Sequence, residues 1–231
     1  MREDICTIPV SEGFEQKDGC PICRMRDMAE KRGVDYIVGP AMMEPDIRIE
    51  TNQKGFCHLH LCQLKKAKNR LSLALMLDSH LDLLEKELFA SDKLFKPSAK
   101  KTAYKAARFE ESCFICESLS NSVEQMIKTI CLTYASDKDF RRLFNEQQFF
   151  CLHHLKLLLE RANQYLDKSK AEDLCRDAKN ITGEYIKQLN SDVRHFCDMF
   201  DYRNNTEDAD WGNSKDSIER TIAFLSGRNA E

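Results

Sequence analysis

Glycine and proline are scarce in this chain, 8 and 5 among 231 residues. A fold of many short strands needs frequent turns, and turns draw on those two residues, so the composition argues against an all-β architecture. No apolar run approaches a membrane span. The densest, Leu71 to Leu77, falls far short of the ~20 residues required. Met1 to Val10 holds Glu3 and Asp4 and no apolar stretch, which reads as no secretory signal. A net charge of −3 gives no global case for nucleic acid. No Gly-rich phosphate loop or Gly-x-Ser-x-Gly elbow is present. The carboxylates of Glu85, Glu87, Glu110 and Glu111 read as helix surface rather than as a general acid and base. The expectation is a cytoplasmic protein with no catalytic site, no membrane association and no evident small-molecule substrate.

Cysteine, in contrast, is plentiful. The chain has 11, an odd number that suits metal ligation and buried thiols better than a full disulfide framework in a reducing compartment. Eight positions form a pattern: Cys20-x2-Cys23 then Cys57-x2-His60, and Cys113-x2-Cys116 then Cys151-x2-His154. The offsets between corresponding residues are 93, 93, 94 and 94. Such a register reads as a tandem duplication in which each copy builds one Cys3His site for zinc, two ions per chain. The expected quartets are therefore Cys20, Cys23, Cys57 and His60, and Cys113, Cys116, Cys151 and His154. Four protein ligands leave no open coordination position, so the metal is expected to be structural.

The spacing has a physical basis. A Cys-x2-Cys turn aims two sulfurs at one cation, and a Cys-x2-His pair opening a helix puts its donors on one face of the first turn. The helix N-terminus also favours a thiolate. His58 competes with His60, and His153 with His154. Only the position three after the cysteine is histidine in both copies, which favours His60 and His154. Cys62 is a spare thiol that could substitute. An iron–sulfur cluster remains open on ligand type. A redox dithiol lacks its usual βαβ setting. Cys131, Cys175 and Cys197 read as buried packing residues, and Cys6 is unassigned.

Helical periodicity dominates the rest. Leu119, Val123, Met126, Ile127, Ile130, Cys131 and Tyr134 step by three and four. The corresponding segment of the first copy is weaker, interrupted by Gly33, Gly39 and Pro40. One long pattern runs from Cys57 through Leu61, Leu64, Ala67, Leu71, Leu75, Leu81, Leu84 and Leu88. Another runs from Cys151 to Tyr165 and resumes from Leu174 through Leu189 to Phe200. Asp46-Ile47-Arg48 matches Asp139-Phe140-Arg141 at the same offset. Pro97 and Ser98 mark a seam, and Asn204 to Asp210 reads as an exposed acidic linker. Ser214 to Leu225 reads as a last helix with Ile218, Ile222 and Leu225 on one face, Gly227 as its stop and Trp211 pinning it to the body.

The resulting expectation is an all-α protein of two tandem pseudo-repeats of helices, each stapled by its own Cys3His site, plus a C-terminal helix. The boundaries are 1–97, 98–203, and 204–231 for the linker and last helix. Lys65, Lys66, Lys68 and Arg70 form one basic cluster, and Lys96, Lys100, Lys101, Lys105 and Arg108 another. Both read as solvated faces, with phosphate contact as the alternative.

Cys20-Pro21-Ile22-Cys23-Arg24 with Gly55-Phe56-Cys57, and Cys113-Phe114-Ile115-Cys116-Glu117 with Phe150-Cys151-Leu152-His153-His154-Leu155, resemble an uncharacterised bacterial family, mostly from anaerobic Firmicutes. Its members look like duplicated Cys-x2-Cys…Cys-x2-His proteins of about this length, with a short helix before a final glycine. They are often labelled ABC transporter substrate-binding proteins, a label that fits badly with a chain lacking α/β alternation. The resemblance supports the metal ligands and implies no activity. Taken together, the sequence suggests a zinc-finger-like adaptor that presents helical surfaces to a protein partner. The alternatives are a nucleic-acid-binding regulator on the basic faces and a thiol-based redox or metal sensor.

Overall fold

A computed structural model describes residues 7–67, 69–89, 98–201, 203 and 210–227. Cys6, Lys68, Lys96, Pro97 and all but Asp210 of the expected acidic linker lie outside the described residues. Among the described residues there are eleven α-helices and no strand, as the scarcity of turn residues implies.

The helices are α1 (Thr7–Glu15), α2 (Pro21–Val38), α3 (Pro45–Lys54), α4 (His58–Lys66), α5 (Arg70–Leu84), α6 (Ala99–Glu111), α7 (Phe114–Ser136), α8 (Lys138–Asn145), α9 (Leu152–Tyr165), α10 (Lys168–Asp198) and α11 (Ser217–Ser226). The chain divides into two compact units, 27–122 and a discontinuous one made of 1–26 and 123–231. It passes from one unit to the other within α2 and returns within α7. This division is interleaved along the chain rather than serial, so it does not follow the boundaries expected at 97 and 203.

In the discontinuous unit, α9 and α11 both pack on α10, and α1 and α8 pack together. Aromatic rings fill the centre. Phe14 lies 5.0 Å from Phe140 and 5.9 Å from Phe144 between centroids, and Phe144 lies 4.9 Å from both Tyr134 and Phe150. Phe14, Phe144 and Phe150 are fully buried, each contributing roughly 1.5–3 kcal/mol by removal from water. Val123, Ile127, Ile130, Cys131 and Tyr134 of α7 are buried at the expected spacing, as are Leu174, Ala178 and Leu189 of α10.

The last helix does not bury the face that carries its aliphatic residues. Ile218, Ile222 and Leu225 are 46%, 43% and 57% exposed, whereas Ser217 and Phe224 are buried. Phe224 sits 6.0 Å from Phe149 and 6.1 Å from Tyr185, and Arg220 bonds the buried Asp192 at 2.9 Å. One ring and one ion pair therefore set the face that turns inward. Trp211 packs edge-on against Phe196 and Phe200, at the end of α10.

In the 27–122 unit, α3 packs along α5 and α4 on the start of α5. Val34, Ile37, Val38, Ala41, Leu64, Met76, Cys113 and Ile115 form its core. α2 continues through Gly33, where an added Cβ would meet Ile115 at an ordinary 3.7 Å, and ends at Gly39 and Pro40. The long pattern starting at Cys57 is not one helix. α4 ends at Lys66 and α5 begins at Arg70, where Asn69 caps α5 by accepting from Ser72 N–H and donates to Val38 O at 2.8 Å. The break resets the helical phase, so α5 buries Ser72 and Met76 and leaves Leu71, Leu75 and Leu81 exposed.

Candidate metal centres

Every one of the eight positions lies at or near a helix N-terminus. Cys20 immediately precedes α2 and Cys113 immediately precedes α7, with Cys23 and Cys116 in their first turns. Cys57 is the N-cap of α4 and Cys151 that of α9, which places His60 and His154 one turn in. Each cluster therefore has two positive helix poles directed at its thiols, a field that favours their ionised form.

The eight residues gather into two groups whose ligand atoms all lie within 4.8 Å of one another, but the grouping crosses the repeats. Cys20 and Cys23 meet Cys151 and His154, whereas Cys113 and Cys116 meet Cys57 and His60. The quartets expected within each copy are not assembled. The chain changes unit within α2, after Cys23, and changes back within α7, after Cys116, so each Cys-x2-His pair falls in the same unit as the other copy's Cys-x2-Cys turn.

In the first group His154 Nδ1 lies 3.7 Å from Cys20 Sγ and 3.2 Å from both Cys23 Sγ and Cys151 Sγ, with Cys23 and Cys151 sulfurs 3.4 Å apart. Cys20, Cys151 and His154 are buried and Cys23 is half-buried. The Cys23 thiol donates to Gly227 O at 3.3 Å. Gly227 closes α11 in the left-handed region at φ 68°, and a Cβ there would come within 3.1 Å of Cys151 Sγ. Glycine serves both the cap and the close approach. The Cys20–Cys23 turn is held by Arg24, which pairs with Asp18 and donates to Gln16 O at 2.9 Å.

In the second group His60 Nδ1 lies 3.2, 3.3 and 3.4 Å from the sulfurs of Cys57, Cys113 and Cys116, and Cys57 and Cys116 sulfurs are 3.7 Å apart. His60 Nε2 faces Glu30 Oε1 at 3.1 Å. Glu30 carries no sequence signal beyond being one acidic residue on a helix. Ser112 Oγ donates to Lys54 O at 2.7 Å and Phe114 N–H to Gly55 O at 3.0 Å, which clips the Cys113 turn to the segment before Cys57. Gly55 has φ 60°, and His80 lies against it where a Cβ would fall.

The thiols respond to one another as crowded acids. Burial pushes Cys20 up to about 12. The neighbouring Cys151 and Cys20 sulfurs hold Cys23 far above the ordinary thiol value, while hydrogen bonds from Cys20 and Cys23 hold Cys151 far below it. In the second group, burial opposes ionisation of Cys113, but hydrogen bonds from His60 and the backbone bring it down to about 6. Burial likewise opposes the charge on His60, yet Cys113 and Cys57 raise it to about 9. Each group thus concentrates negative charge on one sulfur and keeps a neighbouring thiol protonated. A divalent cation would relieve that arrangement by displacing the protons.

The remaining residues fall outside these groups. His58 and His153 are exposed, and His58 Nε2 lies 3.6 Å from the exposed Cys62 Sγ. Cys131 is buried and Cys175 half-buried, but Cys197 is exposed, contrary to its expected role in packing. Lys65, Lys66, Arg70, Lys100, Lys101, Lys105 and Arg108 are exposed, with Lys105 paired to Glu87 at 3.0 Å. No helix among the described residues is long and apolar enough to cross a membrane.

The chain is 21% identical over 193 residues to an "Uncharacterized 23.9 kDa protein in xynA 3'region" of Caldicellulosiruptor sp. (strain Rt8B.4), covering 84% of this chain and 87% of that protein. No solved structure matches it. A model for DUF6062, a family of unknown function, matches residues 1–231, and the chain belongs to that family.

Proposed function

We propose that each group holds one zinc ion as a structural clasp, and that the protein is a cytoplasmic adaptor presenting helical surfaces to a protein partner. One observation carries the zinc reading. A tetrahedral ion with Zn–S of about 2.3 Å and Zn–N of about 2.0–2.1 Å has ligand edges of about 3.8 Å between sulfurs and about 3.6 Å from sulfur to nitrogen. Here the Cys23–Cys151 and Cys57–Cys116 sulfur edges are 3.4 and 3.7 Å, the sulfur to Nδ1 edges are 3.2–3.7 Å, and all ligand atoms of each quartet lie within 4.8 Å of one another. An iron–sulfur cluster distributes its protein ligands over several irons, whereas these quartets are sized for a single ion. Glu30 behind His60 matches the carboxylate–histidine pairing that orients metal-bound imidazoles.

With four protein donors at each ion, no position remains for water or substrate, which favours a structural over a catalytic metal. The transporter label attached to the resembled family has no support in an arrangement without strands among the described residues. The nucleic-acid reading has less behind it, because Lys105 is salt-bridged and Arg108 lies over the Phe109 ring. A salt-dependent gel shift would revive that reading. The zinc reading is tested by the metal content of protein purified anaerobically without metal-affinity media. Two zinc per chain and no colour are expected, and brown protein carrying iron and sulfide overturns it.

A further inference from the structure

We propose that the two clasps have different duties: the Cys57, His60, Cys113, Cys116 site exchanges its ion with external thiol or chelating ligands, while the Cys20, Cys23, Cys151, His154 site retains its own. This rests on the zinc reading and extends it to how the metal is regulated. Replacement of a ligand at tetrahedral zinc proceeds through a fifth donor, so access to a metal–sulfur bond sets the rate. In the first site three ligands are buried, and the fourth, Cys23, is covered by Gly227 at the end of α11. An incoming donor must displace that helix end. In the second site His60 and Cys113 are buried, but Cys57 is half-buried and Cys116 is exposed.

The second site is also built to survive loss of one sulfur. Glu30 fixes His60, and the Ser112 and Phe114 hydrogen bonds hold Cys113 beside the Cys57 turn. Three donors therefore stay in place while Cys116 leaves and an external donor enters. The same helix carries the exposed pair His58 and Cys62. At the 94-residue offset the other copy has Leu152 and Lys156 instead. A pair of soft donors in contact thus accompanies the exposed site, whereas the other helix offers the exposed His153 alone. No redox change is required: zinc passes from one thiolate set to another, and the freed thiolates take up protons.

The test starts from protein shown to hold two zinc and challenges it with excess pyridylazoresorcinol under anaerobic, reducing conditions. One equivalent should leave at least about tenfold faster than the other. Alkylation with iodoacetamide after the fast phase, read by mass spectrometry, should mark Cys57, Cys113 and Cys116 and spare Cys20, Cys23 and Cys151. Cys116→Ser should abolish the fast equivalent and leave the slow one. Two equivalents leaving at one rate, or alkylation of Cys20, Cys23 and Cys151 first, overturns the proposal. The alkylation arm uses the unaltered chain and stands even if the variant fails to fold. Protein that binds no zinc at the outset defeats the underlying zinc reading instead.

Discussion

Glu30 shows how a single carboxylate acts on a site from outside its ligand set. It accepts from the non-ligating face of His60 at 3.1 Å, which holds the tautomer that leaves Nδ1 free for metal and raises the basicity of the imidazole. Glu30→Gln should weaken zinc at that site about 10–100-fold and leave the other unchanged. Competition titration against a chelator of known affinity checks this. The metal-free protein has its own pH signature. Cys113 is depressed to about 6 from 9.0, so its stabilisation is fully present only above the unfolded value and is lost as pH falls through about 6. His60 is raised from 6.5 to about 9, so its contribution is complete below the unfolded value and is lost as pH rises through about 9. Between about 6.5 and 9 the gain at Cys113 and the loss at His60 offset each other, so the pair's net effect is a loss of stability as pH falls through about 6. Denaturant melts of the metal-free chain should show that acid-side loss and Cys113→Ser should reduce it; identical acid-side profiles would show that the pair does not form.

Helices decide which half-sites meet. Crossed pairing has a stoichiometric consequence that serial pairing reverses. Cys23→Ala with Cys151→Ala damages one quartet, and one zinc should remain bound. Cys23→Ala with Cys57→Ala damages both, and none should remain tightly bound. Metal analysis of the two double variants separates the arrangements. The end of α11 is equally specific. Gly227→Ala places a methyl 3.1 Å from Cys151 Sγ at φ 68°, and roughly 1–2 kcal/mol is expected from the backbone alone, seen as a lower melting temperature. At this scale the apolar periods were readable in α7 and α10, because one partner-facing stripe runs their length. They misled in α5 and α11. Period locates a stripe of apolar residues, but the break at Asn69 and the seating of Phe224 and Arg220 determine which face is covered.

Across the whole molecule, crossing the repeats lengthens the loops that the metals close. The first quartet joins residues 128–134 apart, whereas serial pairing would join Cys20 to Cys57, 37 apart. Loop-closure entropy grows with the logarithm of length, so an ion in the first quartet would constrain the unfolded chain by about 1 kcal/mol more than the serial alternative, and one in the second, joining residues 53–59 apart, by only a few tenths of that. That is small beside the roughly 10–16 kcal/mol of apparent binding energy of a structural zinc. Stripping both ions with a strong chelator should therefore lower the thermal transition steeply, and restoring zinc should bring it back. A transition unchanged by removal would show that the helices hold without the clasps.

The eight soft donors and the all-helical class were already legible in the residue order, because donors at fixed spacing and a 3.6-residue period are local properties of a chain. Which Cys-x2-Cys turn meets which Cys-x2-His pair was not, since offsets of 93 and 94 fit either pairing equally. Tertiary structure settled it: the chain changes unit within α2 and changes back within α7, and only donors folded into the same compact unit come within reach of one ion.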